Sequence, residues 1–394
     1  MAHQPATQVA SSPVNVLPLT VGATFMAFLD TTVVNIAFPA LHASFPGTSL
    51  TDLSWVVSGF AVAFAALLSP AGRLADAAGR RPVFLISVAG FSLASLLCAL
   101  APDFGTLLAG RVLQGLTAAG MIPSALGLTL AETPPGKRVA AVGVWGAASS
   151  VAAAAGPSLG GVLVDATNWR SVFLINVPIG AAVIVGSARW LPRRRPVAGT
   201  LPDLIGTVSS ALGIGAIVLG LTKGTDWGWG SSATIGSLAF GTIMISSLAL
   251  PRSRRHPAPA IQFTLWRNPV FALANLTSLL SGAALFSWLL AGPLFLTTFW
   301  GYSVLGAGLA VTPSALASAV AAFVAGRMVR QRHLPAVIIA SVLVFGGVGL
   351  WLETVLSLRH MFLTVWLPAG VIGGAAFGIA LTALATVAAL SVPP

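Results

Sequence analysis

Charge is the scarcest feature of this chain. Asp, Glu, Lys and Arg together make up 7% of the 394 residues, against 56% hydrophobic. An ordinary soluble domain carries about a quarter charged residues, so a water-soluble globular fold is excluded. Cysteine occurs once, as Cys98 inside an apolar run. No disulfide framework is possible, and a small buried hydrophobe is the expected role. The five histidines, His3, His42, His256, His333 and His360, fall in the N-terminal tail, in loops or at span edges. No paired carboxylates or nucleophile constellation lies near them, which argues against a membrane enzyme; no catalytic residue, metal site or organic cofactor is expected. The N-terminus has neither a basic segment ahead of the first apolar run nor a small-residue cleavage site, so the first span is expected to be retained.

Long apolar runs are what the chain has instead. Windows of about 20 apolar residues, long enough to cross a ~30 Å hydrocarbon core at ~1.5 Å per residue, recur twelve times. They begin near residues 16, 53, 83, 104, 139, 171, 203, 231, 269, 303, 335 and 361. The fold class expected is an all-α polytopic membrane protein with about 12 transmembrane helices. A net charge of +11 would elsewhere suggest nucleic acid, but 16 of the 20 Lys and Arg lie in alternate connections. These are Arg73, Arg80 and Arg81, then Lys137 and Arg138, then Arg189 and Arg193 to Arg195, then Arg252, Arg254, Arg255 and Arg267, then Arg327, Arg330 and Arg332. The intervening loops hold only Arg170, Lys223 and Arg359. Such asymmetry places the basic side and the N-terminus in the cytoplasm, with the lipid bilayer as partner and no nucleic acid.

The chain divides accordingly. Residues 1–15 read as a cytoplasmic tail, 16–192 as a six-helix bundle that closes at the proline-flanked basic segment Pro192 to Pro196, and 193–202 as a cytoplasmic linker. Residues 203–250 hold two inserted spans joined by the Gly- and Trp-rich turn Lys223 to Gly230, and 251–268 form a second linker. Residues 269–394 hold four more spans. Gly326 to Arg330 (G-R-M-V-R) echoes Gly72 to Asp76 (G-R-L-A-D), so the second half starts the first again; parallel repeats are a transporter architecture. With four spans where the first half has six, the chain is expected to be a fragment of a longer protein.

Two charges stand inside spans. Asp30 lies in L-D-T-T-V-V-N-I-A-F-P, Leu29 to Pro39. A carboxylate at mid-span costs at least ~2.5 kcal/mol, and a chain that keeps one generally uses it to bind or carry an ion. The alternative is a carboxylate satisfied by Thr31 and Thr32 and serving packing alone. Arg111 opens R-V-L-Q-G in the fourth span. Counted from the span ends, the two charges differ in depth by only ~5 Å, close enough to pair, although spacing does not fix rotation about either helix. Between the second and third spans, Gly72 to Pro82 reads G-R-L-A-D-A-A-G-R-R-P. It is either a basic loop that sets topology or an ionic latch built from Asp76, Arg80 and Arg81. In the fifth span, Ala152 to Gly161 (A-A-A-A-G-P-S-L-G-G) combines close-packing residues with a proline that removes a backbone hydrogen bond, a seam or hinge between halves.

These four segments, in this order, resemble the major facilitator superfamily and, within it, the drug:proton antiporters of the fourteen-span type. The resemblance covers nearly the whole chain and implies two pseudo-symmetric helical bundles with two inserted central helices, the last two helices being absent here. It further implies proton coupling through Asp30 and Arg111, the proton being the only coupling ion. Thr32, Asn35 and Pro39 belong to the first-helix motif, and Gly72, Asp76, Gly79, Arg80 and Arg81 to the loop latch, where Ala77 replaces a basic residue. Gln114 and Gly115 belong to the fourth-helix motif; Gly156, Pro157, Gly160 and Gly161 belong to the antiporter motif, where Ala152 replaces a leading glycine. The implied activity is export of amphipathic, often cationic small molecules by a monomer in the cytoplasmic membrane. A substrate-specific exporter of an antibiotic or metabolite, or a non-transporting fragment, fits the same motifs. Narrow and broad specificity make one demand, an apolar cavity with few polar anchors; Trp145, Phe286, Trp288 and Phe295 are the aromatics considered for its wall, with lipid-facing or packing roles favoured for each.

Overall fold

The computed structural model describes residues 16–134, 137–192, 203–251, 255–257, 259, 261, 263–329, 331–356 and 359–390. The tail 1–15, the linker 193–202 with Arg193 to Arg195, and Arg252, Arg254 and Arg330 lie outside the described residues. Twelve long helices occupy the twelve apolar segments. They are α1 (Val16–Ser44), α2 (Trp55–Ala78), α3 (Arg80–Ala99), α4 (Phe104–Glu132), α5 (Arg138–Ala166) and α6 (Asn176–Trp190), then α7 (Leu204–Trp227) and α8 (Ser232–Ser247), then α9 (Pro269–Thr298), α10 (Val304–Met328), α11 (Leu334–Val355) and α12 (Leu367–Leu390). Single turns at Leu50–Leu53 and Ser171–Leu174 precede α2 and α6.

Among the described residues, ten helices have the length and apolarity to cross a membrane, and α5 makes eleven if its two parts count as one span. Against the expected count of about twelve, the shortfall is α8, an apolar helix of 16 residues, or ~24 Å, short of a ~30 Å core. Helix starts follow local chemistry. Asp103 caps α4: Oδ1 accepts the Thr106 backbone N–H at 2.8 Å and Oδ2 its hydroxyl at 3.0 Å. Those bonds hold the Asp103 carboxyl below the usual carboxylate range. Asp203, Ser231, Asn268 and Ser303 cap α7, α8, α9 and α10 in the same way. Gly79, at φ 100°, makes the tight turn between α2 and α3 that a side chain would strain.

Contacts at the connections sort the helix ends. Arg80 reaches the Gly127 carbonyl near the end of α4 at 2.8 Å, and Arg81 the Ala188 carbonyl near the end of α6 at 3.3 Å. The α2–α3 connection and the ends of α4 and α6 thus share one face. At the other, the Trp169 indole donates to Ser44 at 2.9 Å, Arg170 to the Ala101 carbonyl at 3.1 Å, and Lys223 pairs with Asp52 at 2.5 Å. Helices α1 to α6 pack as one bundle and α9 to α12 as another. Between them, α5 lies along α10: the Ser158 and Thr312 hydroxyls hydrogen-bond, and a Cβ on Gly308 would stand 2.5 Å from the Pro157 carbonyl. The inserted pair α7–α8 docks on α2 of the first bundle, with Gly215 facing Val62 and the Lys223–Asp52 pair closing one end.

Candidate functional site

Asp30 and Arg111 meet. Arg111 Nη1 is 2.5 Å from Asp30 Oδ2, and both residues are buried, at 1% and 0% exposure. Close helix approach makes this possible: a Cβ on Gly115 would collide with the Phe60 carbonyl, and one on Gly110 would come within 2.5 Å of Cys98 Sγ. Glycines therefore let α4 sink between α2 and α3 until its polar side chains reach α1. The guanidinium has further partners: Nε donates to the Val56 carbonyl at 2.7 Å and Nη1 to Gln114 Oε1 at 2.8 Å. Its carbon lies 4.6 Å from the Phe60 ring centre and 5.7 Å from that of Phe173. Arg111 thus stays anchored by carbonyl, amide and π-face even without a carboxylate's charge.

Amides complete the site. Asp30 Oδ1 accepts from Gln114 Nε2 at 3.0 Å and from Asn176 Nδ2 at 2.9 Å. Both amide nitrogens also donate to Ser95 Oγ, each at 2.8 Å. Cys98 Sγ lies 3.5 Å from Gln114 Oε1. Taking two charges out of water costs several kcal/mol per ion, and here Arg111 Nε and Nη1 and both Asp30 oxygens are hydrogen-bonded. The result is a buried ion pair held by side chains or carbonyls of α1, α2, α3, α4 and the first residue of α6.

The other motif residues have different places. Thr31 and Thr32 do not touch the carboxylate: their hydroxyls bond Ala27, Phe28 and Leu29 carbonyls within α1. Asn35 bonds only the Thr31 carbonyl, at 3.4 Å, and Pro39 is exposed. Thr32 instead packs against Gly156 of α5, where a Cβ would overlap its hydroxyl, and Val33 packs against Gly160, where a Cβ would lie 2.8 Å away. Gly161 is buried in the same segment. Four residues before Pro157, where its ring deletes the helical hydrogen bond, α5 bends by 41° between Val144–Ala153 and Ala155–Ala166. In the loop, Arg80 pairs with Asp76 at 2.8 Å, spanning Gly79, while Gly72 rests on Pro123 of α4. Asp76, Gly127 and Ala188, which Arg80 and Arg81 bond, all belong to the first bundle. Trp288 and Phe295 stack on Trp366 within the second bundle, centroids 4.8 and 6.2 Å apart, and Phe286 is exposed.

Reasoning from sequence does not single out Ser95 or Asn176. Neutral polar residues carry little penalty in a span and attract no notice beside a carboxylate. An asparagine among the apolar residues Phe173 to Ile179 is nonetheless a visible signal.

Twelve helices in two bundles and an inserted pair, the bundles joined along α5 and α10, with a buried ion pair between helices, define a polytopic membrane protein of the two-bundle type. Residues 20–394 match the family described as the Major Facilitator Superfamily, and the chain belongs to it. It is 37% identical over 324 residues to a protein of Streptomyces coelicolor named as a probable actinorhodin transporter, covering 80% of this chain and 56% of that one. To the tetracenomycin C resistance and export protein of Streptomyces glaucescens it is 36% identical, covering 78% and 56%. To the multidrug resistance protein Stp of Mycobacterium tuberculosis it is 33% identical, covering 94% and 68%. The chain therefore spans just over half the length of two of these relatives. Among solved structures, a bacterial homologue of the human lysosomal transporter Spinster shares the fold at TM-score 0.58 and 21% identity, covering 95% of this chain and 74% of that one. The human organic anion transporter MFSD10 does so at TM-score 0.58 and 15% identity, covering 98% and 92%.

Proposed function

We propose that this chain forms the proton-coupled part of an exporter of the fourteen-span drug:proton antiporter type, seated in the cytoplasmic membrane with its N-terminus inside. The observation that carries the reading is the buried Asp30–Arg111 pair. A proton from the outer side neutralises Asp30 and weakens its hold on Arg111; Arg111 keeps Val56, Gln114 and Phe60, so the pair has two arrangements without a stranded cation. Entry is short: α4 starts at Phe104, seven residues or ~10 Å before Arg111, on the side away from the basic loops. Each proton falling through 100 mV supplies ~2.3 kcal/mol, enough to shift a two-state balance ~50-fold. The substrate is an amphipathic, often cationic small molecule, and the proton is the only coupling ion. The basic connections support the orientation, since such loops stay cytoplasmic.

The relatives named for a single antibiotic favour a narrower specificity, for one antibiotic-like metabolite, within the same mechanism. Everted vesicles carrying this chain test the proposal. Adding candidate compounds to energised vesicles is expected to dissipate the proton gradient, and Asp30→Asn to abolish the response while the protein remains inserted. A response undiminished in Asp30→Asn removes Asp30 as the proton site.

A further inference from the structure

Asp30, Asn176, Ser95 and Gln114 close a ring of four hydrogen bonds. Asn176 Nδ2 and Gln114 Nε2 each donate twice; Asp30 Oδ1 and Ser95 Oγ each accept twice. That ring suits an ionised Asp30, because the carboxylate only accepts. A proton on Oδ1 adds a donor the ring has no acceptor for. Gln114 is not free to supply one: its Oε1 is held by Arg111 Nη1 and Cys98 Sγ. Asn176 is free. Its Oδ1 is fully buried and has no hydrogen-bond partner, while both of its bonds leave from Nδ2.

We infer that the Asn176 carboxamide is a two-position reader of the Asp30 proton, giving its NH2 group to the carboxylate and, after a half-turn about Cβ–Cγ, its carbonyl oxygen to the carboxylic acid. The inference rests on Asp30 as the proton site. In the second position Asn176 Oδ1 accepts twice, from the new Asp30 O–H and from the Ser95 hydroxyl. Ser95 and Asp30 Oδ1 still accept from Gln114, so every place in the ring is filled. The turn carries the NH2 group to the far side, where Oδ1 had no partner; the new bonds from the Asp30 and Ser95 hydroxyls must outweigh leaving those donors unpaired. With Asp30 ionised, the same position sets two bare oxygens 2.9 Å apart with no proton between them, so the carboxylate selects the first position and the acid the second. The charged and titratable groups facing Asp30 are Arg111 on α4 and Cys98 on α3; Val56 and Phe60 on α2, and Gly156 of α5 behind Thr32, add none. Asn176 is thus a positioning residue. As the first residue of α6, next to the break after Ser171–Leu174, it passes the state of Asp30 to the start of that helix.

Infrared difference spectra of the full chain in lipid bilayers, taken between high and low pH, test this. A carboxylic C=O band is expected at the low frequency of a hydrogen-bonded acid and is lost in Asp30→Asn. A side-chain amide band is expected to change with it and to move when asparagine is supplied with a 13C-labelled carboxamide. In Asn176→Leu the amide change disappears and the acid band shifts to the higher frequency of an acid lacking an acceptor. An acid band present but unchanged in Asn176→Leu, or no asparagine-sensitive change in the unaltered chain, overturns the reader while leaving Asp30 as the proton site. Absence of any Asp30 band overturns both. Because the labelling measurement uses the unaltered chain, poor folding of Asn176→Leu does not spoil the test.

Discussion

Thr32 and Gly156 stand so close that no side chain fits between them, and that contact ties the helix of the buried carboxylate to the helix that bends. Thr32 lies two residues past Asp30 on α1; Gly156 lies one residue before Pro157 on α5. A change at Asp30 that shifts α1 is felt directly at the bend, and α5 then bears on α10 through Ser158–Thr312 and Pro157–Gly308. Packing contacts thus run without a gap from the helix of Asp30 to the joint with the second bundle.

Gly156→Ala is expected to force α1 and α5 apart, since overpacking a tight contact costs ~1–3 kcal/mol. Export should fall about ten-fold or more with the protein still inserted. Adding Thr32→Ala, which removes the hydroxyl the new methyl meets, should restore part of it. A double-mutant cycle on transport rate measures the coupling.

Arg111→Lys keeps the charge and loses the fork. The Nε bond to Val56 and the planar contact with Phe60 both go, leaving an ammonium that cannot hold Gln114 and Asp30 together. Substrate-driven proton movement should drop at least ten-fold in everted vesicles, with Arg111→Ala no worse than a few-fold beyond that.

Asp76→Asn should barely affect stability. The Asp76–Arg80 pair is exposed, at 63% and 39%, and such pairs contribute under ~1 kcal/mol. Arg80→Ala should cost more, because the Gly127 carbonyl at the end of α4 loses its donor. Thermal unfolding of the two variants in detergent compares them.

Lys223→Met should loosen the inserted pair from the first bundle. Lys223 is bonded to Asp52 at 2.5 Å and Asp226 at 3.4 Å, joining α7 to the turn ahead of α2. In a Cys98→Ser background, cysteines placed at Val62 and Gly215 should cross-link readily, and more slowly once Lys223 is Met.

Much of this is legible in the sequence, for physical reasons that differ by element. Helix positions follow from the lengths of apolar runs, which water and lipid both enforce; at α8 the helix, Ser232–Ser247, is shorter than the apolar run that marks it. Asp30 and Arg111 announce themselves by what it costs to bury them, and their depths come out similar because helical rise is fixed. Whether they touch depends on rotation about α1 and α4, which glycine contacts such as Gly115–Phe60 decide and a pattern of small residues does not reveal. Asn176 and Ser95 are hidden by being cheap to bury, and Asn35, a motif residue, stays outside the cluster because its side chain bonds back to its own helix. The docking of α7 on α2 cannot be foreseen, since the apolar residues of α7 are spread around the helix and mark no one face.

Proton release on substrate binding, followed with a pH dye in weakly buffered detergent solution, tests the central claim most directly. The unaltered chain is expected to release protons as an effective compound is added, and Asp30→Asn to bind the same compound without releasing any. Equal release from both would contradict the account, because the proton would then come from a group other than Asp30.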